Sequence, residues 1–154
     1  MSKMDYLPIT IKIVSTNILI VGGGKVATHK AQILARFTDH ATVVAPEITP
    51  ELRALPFHVI EKEFEPKDLE GVQLLFVCTG NHELNHEIKQ LAQERHILTS
   101  VCDDPPACDF ISPAIYRDDN LTIAVGSDSR DVKRSIRVRN RIKELIENGT
   151  LDIN

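Results

Sequence analysis

The sequence predicts an α/β fold: a doubly wound, mostly parallel sheet covered by helices, followed by a short hairpin and a C-terminal helix. Three observations predict it. Short, wholly apolar runs alternate with stretches of helical periodicity. The first apolar run ends in three consecutive glycines that open the first helical stretch. The hydrophobic fraction, 42%, is almost entirely aliphatic, with aromatics at 5% and no Trp. Val, Ile, Leu and Ala must then build the core, and these are the residues of buried parallel strands. A length of 154 residues suits one such core.

Taken in order, residues 17–21 (NILIV) form a short apolar run stopped by Gly22, as a buried strand would be. Residues 25–37 place Val26, Ala27, Ala31, Ile33, Leu34 and Phe37 at helical spacing. Residues 41–45 (ATVVA) are a second strand, ended by Pro46, and 51–55 a short helix. Residues 57–60 and 73–78 (QLLFVC) are the third and fourth strands. Residues 83–95 are helical, with Leu84, Ile88, Leu91 and Ala92 on one face, and 97–102 are the fifth strand. The pattern then changes. Residues 103–109 are an acidic, Pro-rich loop. Residues 110–116 and 121–125 are two strands of a hairpin, and 131–147 a final helix with Gly149 at its C-terminal cap. This divides the chain into a nucleotide-binding part, 1–109, and an appended segment, 110–154.

Gly22-Gly23-Gly24-Lys25-Val26-Ala27 matches G-x-G-x-x-A between a strand and a helix, the setting in which this motif binds dinucleotides. The first glycine permits the tight turn, Gly24 lets backbone approach a pyrophosphate, and the small Ala27 lets the helix pack on the strand. The helix N-terminus offers unpaired amides and partial positive charge to the phosphates. The fold is therefore Rossmann-type. The acidic residue expected at the end of the second strand is absent: Ala45-Pro46 stands there, and Glu47 follows within reach of an adenosine ribose. Arg53 lies too far along for a 2′-phosphate site, so NAD is favoured over NADP.

The segments YLPITIKI, NILIVGGGKVATHK, ATVVAP, CTGNHELN, SVCDDPPACDFISPAI and LTIAVGS occur in that order across Tyr6 to Ser127. Together they resemble the precorrin-2 dehydrogenase family of siroheme synthesis, whose unit occurs alone or at the start of siroheme synthases. The resemblance implies NAD-dependent oxidation of precorrin-2 to sirohydrochlorin, with ferrochelatase activity in some members. It implies a homodimer formed through the segment after the nucleotide-binding unit. It carries the essential acid to Asp103 and the cofactor contacts to Gly22, Gly24, Lys25, Val26, Pro46 and Glu47, with Thr79 after the fourth strand. The chain departs from the family in having Ser100 where Asn is usual, and Gly126-Ser127-Asp128-Ser129-Arg130-Asp131 where a Ser/Thr-Gly-rich stretch is usual. It also stops at Asn154, short of the family's C-terminal helical region, which helps enclose the tetrapyrrole.

Asp103 lies just past the end of a parallel strand, in the crevice where open α/β sheets bind ligands, so its carboxylate suits a proton acceptor. Asp103-Asp104-Pro105-Pro106 is also ordinary turn composition. No metal site is expected. Cys102 and Cys108 lack zinc spacing, and the H-E-x-x-H string from His82 to His86 falls at a helix start directly after Thr79-Gly80-Asn81. The basic residues of the last helix, among them Arg134, Arg137 and Arg141, fit a solvated face or a polycarboxylate substrate.

A formal net charge of −4 argues against nucleic acid and anionic membranes as partners. No apolar run reaches membrane-spanning length, the first eight residues carry no signal-like stretch, and three cysteines read as reduced thiols. Cytoplasm is the expected location. The competing function is a non-catalytic NAD-sensing domain, which would have no use for the D-D-P-P loop and hairpin.

Overall fold

The computed structural model describes residues 2–154. The apolar runs become β1 (Ile18–Val21), β2 (Thr42–Ala45), β3 (His58–Glu61), β4 (Leu74–Val77) and β5 (Leu98–Val101), all paired in parallel in the order β3-β2-β1-β4-β5. The chain leaves β1 toward β2 on one side and returns to β4 on the other. That reversal opens a crevice at the carboxyl end of β1. Helices α1 (Lys25–Leu34), α2 (Pro50–Arg53) and α3 (His82–Glu94) connect the strands.

Side chains alternate across the sheet with the period of two that strands impose. Ile18, Ile20, Val43, Leu74 and Phe76 face Ala27 and Ala31 of α1 and Leu52 of α2. Leu19, Val21, Val44, Leu75, Val77 and Val101 face Ile88 and Ala92 of α3. The two alanines of α1 are fully buried and let that helix lie close on the strands. At about 1.5–3 kcal/mol for each large aliphatic side chain buried, these two layers hold the unit together.

Residues 10–110 form one compact unit. Residues 2–9 and 111–154 form another, in which β6 (Ala114–Asp118) and β7 (Leu121–Val125) make an antiparallel hairpin and α4 (Val132–Glu147) follows. The hairpin turns through Asp119 and Asn120, with Asp119 at φ 50°, a left-handed conformation that Asp tolerates. Residues 2–9 are held by Asp128, whose carboxylate accepts from the backbone N–H groups of Asp5 (3.0 Å) and Tyr6 (2.9 Å). Asp131 caps α4 by accepting from Arg134 N–H at 2.9 Å, and Gly149 leaves it at φ 80°.

Two expectations need correction. The first hairpin strand starts at Ala114, not at residue 110. Pro113 has no N–H for a ladder, and Phe110 is instead drawn into the sheet unit, edge-on to Phe76 with centroids 5.4 Å apart. Nor are all three cysteines free: Cys78 and Cys102 form a disulfide, and Cys108 alone is a thiol. The register explains the pairing. Val77 sits opposite Val101, so the next residue of each strand, Cys78 and Cys102, emerges side by side with Cα atoms 5.2 Å apart.

Candidate functional site

The crevice at the carboxyl end of β1 is a cleft of about 640 Å³. Gly22, Gly24, Lys25, Val26, Pro46, Glu47 and Thr79, the residues expected to contact the cofactor, all line it. Its walls are completed by Ile48, Phe64 and Leu84 among others, a mostly apolar surround with polar backbone at one end.

The glycine turn has three different reasons for its three glycines. Gly22 takes φ 130° while donating its N–H to Val44 O at 3.0 Å, and a Cβ there would strike the Cys78 carbonyl oxygen. At Gly23 a Cβ would strike the Glu47 carbonyl, since the two loops are drawn together by the Thr49 N–H bond to Gly23 O at 3.0 Å. Gly24 has nothing within 4 Å of where a Cβ would stand. That open space lies at the N-terminus of α1, whose cap is Gly24 and whose first turn carries no acidic side chain. Nothing on the protein competes for the first amides, so an anion can take them. The cleft therefore fits a dinucleotide: phosphate room at Gly24, and apolar walls for flat rings.

Sequence reasoning missed the constraint on Gly23 and the polar chain behind the cleft. Asn81 caps α3, its Oδ1 accepting from Leu84 N–H at 3.1 Å, and a capping Asn in Gly80-Asn81 is a legible signal. One turn on, Asn85 is fully buried. Its Nδ2 donates to Thr79 O (3.1 Å) and to Asp103 Oδ1 (3.2 Å), while its Oδ1 accepts from the Thr79 hydroxyl. Asn85 thus ties the cleft wall at Thr79 to the carboxylate of Asp103.

Asp103 itself is not among the cleft-lining residues. It stands on the turn after β5, with its Oδ2 3.0 Å from His82 Nδ1. That hydrogen bond, opposed by partial burial and aided by Asn85, holds the Asp103 carboxyl below the usual carboxylate range, and reciprocally raises His82. Asp104 faces a different partner, His86 Nε2 at 3.2 Å. Among the described residues, no group of three or more His, Cys, Asp or Glu side chains is arranged to hold a metal ion. Among the described residues, no helix is long and apolar enough to cross a membrane.

The family model described as "Putative NAD(P)-binding" matches residues 9–114. A siroheme synthase from Photorhabdus laumondii is 35% identical over 147 residues, covering 93% of this chain and 31% of that protein. One from Zymomonas mobilis is 40% identical over 128 residues, covering 80% of this chain and 27% of that protein. The chain thus spans about a third or less of the length of these curated relatives. A solved precorrin-2 dehydrogenase, SirC, superposes with a TM-score of 0.75 over 93% of this chain and 70% of its own, at 22% identity, a likeness of fold.

Proposed function

The chain belongs to the NAD(P)-binding family, and from that premise we propose that it is a dehydrogenase oxidising precorrin-2 to sirohydrochlorin in siroheme synthesis. The observation that carries the reading is the Asn85 bridge. It joins Thr79, at the wall of a dinucleotide-sized cleft, to the Asp103 carboxylate on the turn after β5. A hydride acceptor and a proton acceptor are what removal of two hydrogens from a reduced macrocycle requires.

In this reading the free amides at the start of α1, with Gly22 and Gly24, hold the pyrophosphate of NAD, and Lys25 and Val26 flank it. Pro46 and Glu47 border the adenosine end. Glu47 there disfavours a 2′-phosphate by charge, which supports NAD over NADP. Thr79 lies toward the nicotinamide end, near the strand that carries Cys78. Bound NAD supplies the hydride acceptor. Asp103, ionised at neutral pH and held by His82 and Asn85, takes the proton from the macrocycle. The protein works in this reading as a cytoplasmic homodimer.

The test is NADH formation with enzymatically generated precorrin-2 under anaerobic conditions. Growth of NADH absorbance together with the sirohydrochlorin spectrum is expected. NAD binding without either product would replace the reading with an NAD-sensing domain. The ferrochelatase step implied for some relatives is followed in the same assay by adding ferrous iron, as substrate, and watching for siroheme.

A further inference from the structure

The start of α3 meets the turn after β5 in a cluster of four polar side chains. His82 Nδ1 is 3.0 Å from Asp103 Oδ2, His82 Nε2 is 3.1 Å from His86 Nε2, and His86 Nε2 is 3.2 Å from Asp104 Oδ2. We propose that His82 is a positioning residue for Asp103, an imidazole that fixes the direction of the carboxylate and keeps it ionised for the proton-accepting role. The proposal rests on the reading of Asp103 given above.

The geometry separates two tethers. An ionised carboxylate only accepts hydrogen bonds, so His82 Nδ1 carries a proton, and in the neutral ring Nε2 holds the lone pair. Asp103 then receives one donor on each oxygen: His82 on Oδ2 and Asn85 on Oδ1. A single tether would leave the carboxylate free to turn about its Cβ–Cγ bond, and two fix its plane. The tethers differ in kind. Asn85 is fully buried, neutral and anchored to Thr79. His82 has a side chain 65% exposed and is titratable, so of the two tethers it is the one that responds to solvent pH.

The groups facing His82 are nearly all acidic. Asp103 and Asp104 approach from the turn after β5, and Glu83 and His86 from α3 itself. The Asp103 hydrogen bond is the largest influence and raises the His82 pKa. The signs follow. Below that raised pKa the imidazolium beside Asp103 favours its ionised form, so the carboxylate stays ready to accept a proton to lower pH than a free Asp would. Above it, the neutral ring still donates through Nδ1, but the charge–charge part of the hold is lost. Per turnover one hydride passes to the oxidised dinucleotide and one proton to Asp103, which returns it to water. The acid limb of kcat/KM therefore reports Asp103, and His82 sets where that limb falls.

The experiment compares the full chain with His82→Gln, which keeps a donor without charge, and His82→Ala, which keeps neither. The Asp103 carboxyl carbon is titrated by NMR alongside the pH profile of NADH formation. In both variants the Asp103 titration and the acid limb should move to higher pH. His82→Gln should recover most of its rate at high pH, and His82→Ala should recover less. Unmoved Asp103 titration in folded variants overturns the proposal, as does a loss of rate that is uniform across pH. If the parent chain makes no NADH from precorrin-2, the dehydrogenase reading falls, while the carboxyl titration still decides whether His82 governs Asp103.

Discussion

At the scale of single residues, three glycines in a row divide their work, and the division is testable. Gly23→Ala drives a methyl group into the Glu47 carbonyl, and backbone cannot yield as a side chain would. It should destabilise the fold by about 1–3 kcal/mol, as overpacking does, read as a fall in midpoint of chemical denaturation. Gly24→Val meets open space and should leave the fold intact, yet its branched side chain occupies the room at the α1 amides. NAD affinity by calorimetry should fall at least about tenfold, roughly 1.4 kcal/mol. A folded variant with parental affinity would show that the phosphates lie elsewhere. Asp103→Asn keeps the shape of the side chain and removes its charge. Its rate should fall about a hundred- to ten-thousand-fold with NAD affinity unchanged, whereas Asp104→Asn, whose partner is His86, should do much less. The tight turn at Gly22 and the close packing at Ala27 were legible in the sequence because the motif is local and depends on adjacent positions. Gly23 was not, because its neighbour comes from the loop after β2. Asn85 was not, because an Asn among helical polar residues looks solvated until the fold brings Thr79 and Asp103 to it.

At the scale of elements, every strand of the parallel sheet falls within about one residue of the run that announced it, and the central β1 and β4 are buried at every position, which leaves no polar residue to blur their ends. Where local pattern failed, tertiary structure had the deciding vote. Phe110 reads as the start of a hairpin strand, but it belongs to the 10–110 unit, where its ring meets Phe76 edge-on, and Pro113 sets the strand's true start. The predicted last turn of α1 closes instead through i→i+3 bonds, Arg36 N–H to Ile33 O and Phe37 N–H to Leu34 O. The Cys78–Cys102 pairing was hidden because it depends on the β4–β5 register, which no spacing of cysteines reveals. It is checked by counting thiols in the denatured chain. One is expected to react without reductant, Cys108, and three after reduction. The link closes a loop with a sequence separation of 24 residues, and chain entropy assigns such a closure about 3–4 kcal/mol. Cys102→Ser should lower stability by up to that amount under oxidising conditions and by far less under reducing ones. Three reactive thiols without reductant would mean that the two strand ends meet as free cysteines.

At the scale of the whole molecule, the two units bury their apolar surface very unequally. Every buried apolar side chain among the described residues belongs to 10–110, and none to 2–9 or 111–154. In the smaller unit only Asp128 and Ser135 are buried, while Val132 stays 62% exposed, Ile136 41% and Val138 40%. A hairpin and one helix are marginal without a surface to pack on, and a contiguous apolar face left in water is a mark of association. Val132 and Ile136, one turn apart on the same face of α4, are the residues that a second copy would cover, while Val138 lies on the opposite side of the helix, and a self-complementary helix face is the simplest way to a two-fold dimer. The chain should therefore scatter light at twice its 17.2 kDa mass at micromolar concentration. Ile136→Glu places a charge on that face, and Ile136 is not among the residues that line the cleft. It should raise the dimer dissociation constant at least about tenfold, roughly 1.4 kcal/mol, while leaving NAD affinity intact. A parental chain that runs as a monomer at that concentration would mean that the α4 face is stable in water, and the homodimer would have to be given up.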